Sequence, residues 1–271
     1  MVPERCIAID WSGNATTSGQ KKHIFTATFD PSGITLQDGL TRDGVCDWLI
    51  EQVGPSPIPT VIGLDFAFSF PVSFQKYKSY KSADELWDLA GREGEVWLRR
   101  CPPPFWGRPG KKCPPTHKIE GLRSTDSDAA LSVNGTSPKS PYQIGGAGAV
   151  GTGSIRGFPI LKRLRQNGFS IWPFHPPAYP LVVEIYPRLL TGKVKKSQPA
   201  ARRDYLRKPP FADFSAKIRD NVESSEDAFD ALVSAVRMSQ HASSFANLTQ
   251  ATDPIEQIEG RIWAPPTPAR A

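Results

Sequence analysis

Five carboxylates stand where a chain can use them for chemistry. Asp10 closes the apolar run Cys6-Ile7-Ala8-Ile9, Asp65 closes Val61-Ile62-Gly63-Leu64, and Glu184 follows Leu181-Val182-Val183. A run that is apolar at every position reads as a strand buried on both faces. An acid at its end then stands at the rim of a sheet, where ligands and metals bind. Asp227 and Asp230 open the stretch Asp227-Ala228-Phe229-Asp230-Ala231-Leu232, and their spacing projects both from one helix face. Rigidly held carboxylates are hard oxygen donors, and Asp10 on the first strand could bridge two divalent metals, so the pattern points to an acidic, metal-binding site.

Each acid also has a local explanation. Asp10 and Asp65 can serve turns, the first before Ser12-Gly13 and the second before Phe66. Ser224 as an N-cap would place Asp227 at the third helical position, where it favours the helix dipole. Asp230 has no such role, which makes it the stronger candidate of the two. Glu184, between Val183 and Ile185, needs a partner when ionised, either a metal or a cation such as Arg188, and counts as an additional catalytic candidate.

The segment Gly145-Gly146-Ala147-Gly148-Ala149-Val150-Gly151-Thr152-Gly153-Ser154 precedes a helical pattern carrying Arg156, Lys162 and Arg163. Backbone amides of such a loop at a helix N-terminus can cradle phosphate. Gly146, Gly148 and Gly151 with these three cations are therefore candidate substrate-binding residues. The segment lacks the Gly-Lys-Ser/Thr ending of a P-loop and no strand leads into it, so a flexible connector competes. Trp11, Phe66, Phe68, Phe70, Phe105, Trp106 and Tyr142 could stack on bases, although core packing is the commoner fate of such residues. Cys101, Cys113 and His117 have irregular intervals and no evident fourth ligand, so zinc is not expected there.

Periodicity defines the elements that must position these groups. Strands are expected over residues 5–11, 23–29 and 34–36, the last two a hairpin about Pro31-Ser32-Gly33, which gives an antiparallel three-strand start. A crossover helix over 43–53 leads to a strand over 60–66, parallel to the first. Further helices are expected over 83–100, from 155 or 157 to 167, and over 225–241, with short ones at 187–192 and 200–206. Strands are expected at 169–172 and 181–185. Residues 102–154 are rich in Pro, Gly, Ser and Lys and read as a long functional or mobile loop. The expected architecture is one α/β domain over 1–265, a mixed central sheet flanked by helices, with an insertion at about 102–154 and a flexible tail over 266–271.

Hydrophobic residues at 39% and charged residues at 22% are ordinary for a globular chain. No apolar run reaches the roughly 18 residues of a membrane span. No secretory pattern follows Met1, and a cytoplasmic location is the expectation. The net charge of +6 is segregated: residues 156–219 carry 14 Lys and Arg against 3 acids, and residues 220–271 carry 3 against 8. A basic stretch beside acids suits a polyanion held by its phosphates, while a solvated surface explains it equally.

Six blocks, in order, resemble the domain of unknown function 429 family across nearly the whole chain. They are Ile7-Ala8-Ile9-Asp10, Gly63-Leu64-Asp65-Phe66-Ala67-Phe68-Ser69-Phe70-Pro71, Gln143-Ile144-Gly145-Gly146-Ala147-Gly148-Ala149-Val150-Gly151, Val183-Glu184-Ile185-Tyr186-Pro187, Asp227-Ala228-Phe229-Asp230-Ala231-Leu232 and Glu259-Gly260-Arg261-Ile262. The resemblance implies an RNase H-like fold and a predicted nuclease. The Asp227-x-x-Asp230-Ala231-Leu232 motif is also similar to the late acidic helix of RuvC-type junction resolvases, whose metals are held by a first-strand Asp, a fourth-strand acid and two acids of that helix. Carried over, this implies two Mg2+ or Mn2+ ions roughly 4 Å apart on Asp10, Asp65, Asp227 and Asp230, with Glu184 as an additional acid and DNA or RNA as the partner. In the resolvases the fourth-strand acid is typically Glu, and the shorter Asp65 places a metal differently or reaches it through water. Two other readings stay open. One is an actin- or sugar-kinase-like nucleotide-binding protein, whose first-strand Asp-x-Gly-x-Thr turn is altered here to Asp10-Trp11-Ser12-Gly13-Asn14. The other is a non-catalytic nucleic-acid-binding or scaffold protein.

Overall fold

The apolar runs form the centre of a mixed, seven-stranded sheet. A computed structural model describes residues 1–132 and 138–266. Its strands are β1 (Arg5–Asp10), β2 (Phe25–Asp30), β3 (Gly33–Gln37), β4 (Thr60–Leu64), β5 (Ser170–Ile171), β6 (Leu181–Ile185) and β7 (Ile262–Trp263). The order is β3-β2-β1-β4-β6-β5, with β7 also paired to β6. β1, β2 and β3 are antiparallel, and β4 is parallel to β1 and β6 to β4, as the sequence predicts. β5 and β7 share one edge of β6, β5 beside Leu181 and Val182, β7 beside Glu184 and Ile185. All residues of β4 and β6 are buried, which is why their sequences show no polar alternation.

The main helices are α1 (Thr17–His23), α2 (Arg42–Trp48), α3 (Ala83–Arg100), α4 (Ser124–Ser132), α5 (Val150–Gln166) and α6 (Glu226–Gln240). On one face of the sheet Ile7, Ile9, Ile62 and Leu64 pack with Val45 of α2, Leu86 and Trp87 of α3, and Phe158 and Leu161 of α5. On the other, Ala8, Val61 and Val183 pack with Phe229, Leu232 and Val236 of α6. Each such Val, Leu, Ile or Phe side chain, fully buried, contributes about 1.5–3 kcal/mol. α3 starts on Ser82, whose side chain accepts the Glu85 N–H, and ends at Cys101 in the left-handed region at φ 47°. Leu86 and Trp97 are buried, Leu89 and Val96 are half-buried, and Trp87, Ala90 and Gly94 complete the inner face.

Several boundaries differ from expectation. α1 is an unforeseen helix that follows the turn at Ser12-Gly13 and takes up His23, where the second strand is expected to begin: it buries only Gln20, so it carries no apolar period, and it rests on a Thr16 cap. α2 continues as a wider turn over Leu49–Val53. α5 begins at Val150 rather than 155 or 157, because its glycines, poor helix formers alone, are required by packing. A side chain at Gly157 would run into the Phe66 ring, and one at Gly151 into the Pro141 carbonyl. The stretch read as loop over 102–154 contains α4 and a buried Arg123. An unforeseen helix, Ala216–Ser224, precedes α6. The cap of α6 is Ser225, not Ser224: its side chain accepts the Ala228 N–H at 3.2 Å, which makes Asp227 the second helical residue. Among the described residues no helix is long and apolar enough to cross a membrane. The expected tail lies, from 267 onward, outside the described residues.

Candidate active site at the end of the parallel strands

β1 and β4 lie in register, Ile9 opposite Leu64, and the Asp65 N–H donates to the Ile9 carbonyl at 3.1 Å. Asp10 and Asp65 therefore leave the sheet side by side. Alternation along a strand points both to the face of Ala8 and Val61, the face that α6 covers. The helix lies close because Ala228, Ala231 and Ala235 on its inner side are small. Gly63 of β4 also makes room: a Cβ there would meet Met238 Sδ at 2.8 Å. That depth carries Asp230, only 2% exposed, toward the two strand acids.

The acids repel one another. Burial, then Asp230, Asp65 and Asp227 in that order, hold the Asp10 carboxyl well above its usual range. Burial and then Asp230 push Asp65 up to about 8. Among the described residues neither side chain has a hydrogen-bond or ion-pair partner. Burial also raises Asp230, against the pull of Lys196. The Lys196 ammonium contacts Asp230 Oδ2, while Asp230 Oδ1 is buried with no partner. Burial disfavours the charged Lys196, but Asp230, Asp65 and Asp10 outweigh it and raise its pKa.

Lys196 lies between two short helices, Pro187–Thr191 and Pro199–Leu206. Its segment is pinned. Arg202, 3% exposed, donates to the carbonyls of Lys196 and Glu223, and Arg188 donates to the Val194 carbonyl at 2.7 Å. Asp227 sits further out, its side chain 31% exposed and paired with His23 Nδ1 at 2.8 Å.

Glu184 turns the other way. It pairs with Leu64, and strand alternation gives it the Leu64 face, opposite to that of Asp65. There the Arg123 guanidinium donates to both carboxylate oxygens, at 2.7 and 2.5 Å, and the Phe68 N–H donates at 2.8 Å. Arg123 also holds Asp126 through two nitrogens. Burial raises the Glu184 carboxyl while Arg123 opposes that rise. The partner that a buried Glu184 requires is thus Arg123 rather than a metal or Arg188.

The glycine-rich segment is not an open cradle. The Gly151 N–H donates to the Gln143 carbonyl at 3.0 Å and the Val150 N–H to that of Gly148 at 2.9 Å. Gly146 and Gly148 take φ of +78° and +74° in the turn. Arg156 pairs with Glu95, Lys162 with Asp88 at 3.0 Å and Arg163 with Asp47, all on the helix layer away from α6. Phe66, Phe68, Phe70, Phe105 and Tyr142 are core residues packed on one another, and Trp11 donates its Nε1–H to the Gly153 carbonyl at 3.2 Å.

A cavity of about 400 Å3 opens over Asp65 and Lys196, walled by Trp11, Tyr186, Lys139 and Gly148. A larger one, about 590 Å3, lies at the β5/β7 edge against Trp172 and Trp263, and none of the five acids lines it. Among the described residues no three acidic, His or Cys side chains already enclose a common point at coordinating distance. The donors nevertheless suit a divalent cation. Two carboxylates without partners and the orphaned Asp230 Oδ1 are hard oxygens whose mutual repulsion a cation relieves. Asp10, Asp65 and Asp230 would hold it.

Sequence reasoning missed Lys196, Arg123 and His23. Lys196 follows Lys193-Val194-Lys195 and looks like one more residue of a solvated basic run, and Arg123 lies in a stretch without periodicity. Comparison with known proteins returned no matching family model, no matching curated protein and no matching solved structure.

Proposed function

We propose that the protein is a divalent-metal-dependent phosphodiester hydrolase of RNase H-like fold that acts on nucleic acid. The observation that carries this reading is the gathering of Asp10, Asp65 and Asp230, from β1, the end of β4 and α6, into one group in which the Asp10 and Asp65 carboxylates and Asp230 Oδ1 have no protein partner among the described residues. The strand order β3-β2-β1-β4-β6, antiparallel and then parallel, supports the fold assignment. Mg2+ or Mn2+ bound there supplies Lewis-acid polarisation of a phosphoryl oxygen and a water of lowered pKa. The chain's own groups do the rest. Lys196 meets the negative charge of a phosphate entering the cavity, the Trp11 wall limits water, and His23, oriented by Asp227, can carry a proton at the rim.

The nucleotide-binding alternative fits less well. Its phosphate turn would be Asp10 to Asn14, yet Gly13 abuts the Thr152 and Gly153 backbone and Trp11 closes the turn through Gly153. The test is incubation with single-stranded, duplex, hybrid and branched nucleic acids in Mg2+ or Mn2+. Cleavage should fall at least about 10^3-fold in Asp10→Asn, some 4 kcal/mol of barrier. Undiminished cleavage in that variant would sink the assignment, and salt-sensitive binding without any cleavage would favour a binding protein.

A further inference from the structure

We propose that the acid cluster takes one divalent cation, not two, and that the Lys196 ammonium is the second positive charge of the centre and contacts the substrate phosphate. The inference rests on the metal-centre reading above and specifies its composition.

The donor inventory carries the argument. Asp230 has two oxygens: Oδ2 is engaged by Lys196, and Oδ1 is buried with no partner. Asp227 is engaged by His23 at the rim. That leaves Asp10, Asp65 and Asp230 Oδ1, a set sufficient for one small divalent ion that keeps several waters. A two-ion centre needs a carboxylate that bridges both ions or further acids for the second. Asp230 cannot bridge while Lys196 holds Oδ2, and Glu184 is taken up by Arg123, so a second ion would have only a bridging oxygen of Asp10 or Asp65 and no carboxylate of its own.

Charge gives the same answer. Asp10, Asp65 and Asp230 carry three negative charges, which one divalent ion and one ammonium neutralise. A second divalent ion would leave a buried excess of positive charge, which is costly.

Lys196 is also built into place rather than drifting on the surface. Arg202, 3% exposed, ties the Lys196 carbonyl to that of Glu223, in the helix Ala216–Ser224 that leads directly into α6, so the lysine is anchored to the segment just before the Asp230 helix. An ammonium has three protons. One meets Asp230, and Lys196 lines the same 400 Å3 cavity as Asp65, so the others can face a bound phosphate oxygen.

The test is Mn2+ stoichiometry, by electron paramagnetic resonance and titration calorimetry, on the intact protein, Lys196→Met, Lys196→Arg and Asp10→Asn, with circular dichroism to verify folding. Expected are one ion for the unaltered protein and for Lys196→Arg. Lys196→Met should take two ions, with the first bound about tenfold more tightly for want of the opposing charge. Lys196→Gln serves in the same role if the Met variant fails to fold. Two ions in the unaltered protein, or one in both Lys196→Met and Lys196→Gln, would overturn the inference and leave the metal centre standing. No ion in the unaltered protein, with Asp10→Asn indistinguishable from it, would overturn the metal centre and the inference with it.

Discussion

The two faces of the sheet treat buried acids in opposite ways within a few residues of one another. On the α3/α5 face Glu184 is met by Arg123 through both oxygens and by the Phe68 N–H, and Glu259 accepts the N–H groups of Val72 and Ser124. On the α6 face Asp10 and Asp65 have no protein partner among the described residues, and Asp230 is satisfied on one oxygen only. The acids of both groups are buried or half-buried; provision is what differs. A fully provided acid is part of the framework, because its bonds are spent. An acid left short of partners is where a ligand lowers the free energy most, and that difference, rather than acidity or position in the sequence, separates Glu184 from the other candidates.

The comparison breaks if the provided side proves dispensable. Arg123→Met strands Glu184 and Asp126 without their cation, and should cost about 3–5 kcal/mol. At about 2–4 °C per kcal/mol for a chain of this size, the midpoint should fall by roughly 10 °C in a thermal melt. A change below about 2 °C would mean the network is not framework.

A smaller, opposite effect is expected on the other side. Mn2+ at a hundredfold over its dissociation constant should stabilise the protein by about 2.7 kcal/mol. A chelator should reverse the gain, and Asp10→Asn should show little of it in the same melt. An equal Mn2+ shift in Asp10→Asn would place the ion elsewhere.

A third effect is a matter of pH. The folded Asp65 carboxyl is raised to about 8, so its stabilising contribution is complete below the ordinary carboxylate range and is lost as pH rises through about 8. Asp65→Asn should therefore gain on the unaltered, metal-free protein between about pH 4.5 and 8.5, at roughly 1 kcal/mol for each pH unit. Urea melts at the two pH values measure it, and a constant gap would show that Asp65 is not under strain from its neighbours.

Much of the frame was legible because it depends on local pattern. The runs ending at Asp10, Asp65 and Glu184 are strands, the first and second are parallel neighbours, and the Asp227 to Leu232 motif opens a buried helix. What the sequence hides is what depends on register and on distant chain. Leu181 to Ile185 is buried throughout, so nothing in its composition says which face Glu184 takes; only its pairing with Leu64 decides that. Arg123 and Lys196 reach their acids from segments with no periodicity, and a lysine within Lys193-Val194-Lys195-Lys196 is indistinguishable in sequence from its solvated neighbours. The candidate phosphate ligands Arg156, Lys162 and Arg163 have acidic partners on α3 and α2 whose proximity no local rule reveals.

The pairing of Asp230 with the first strand has a consequence for synthesis. β1 is made well before α6, with β4 and the Lys196 segment between them. Until α6 docks, Asp10 and Asp65 are hydrated, ordinary carboxylates with no third acid to complete a cage. A half-folded chain in which α6 has not docked therefore lacks the complete acid cluster, and the proposed centre assembles only when that helix packs on the sheet.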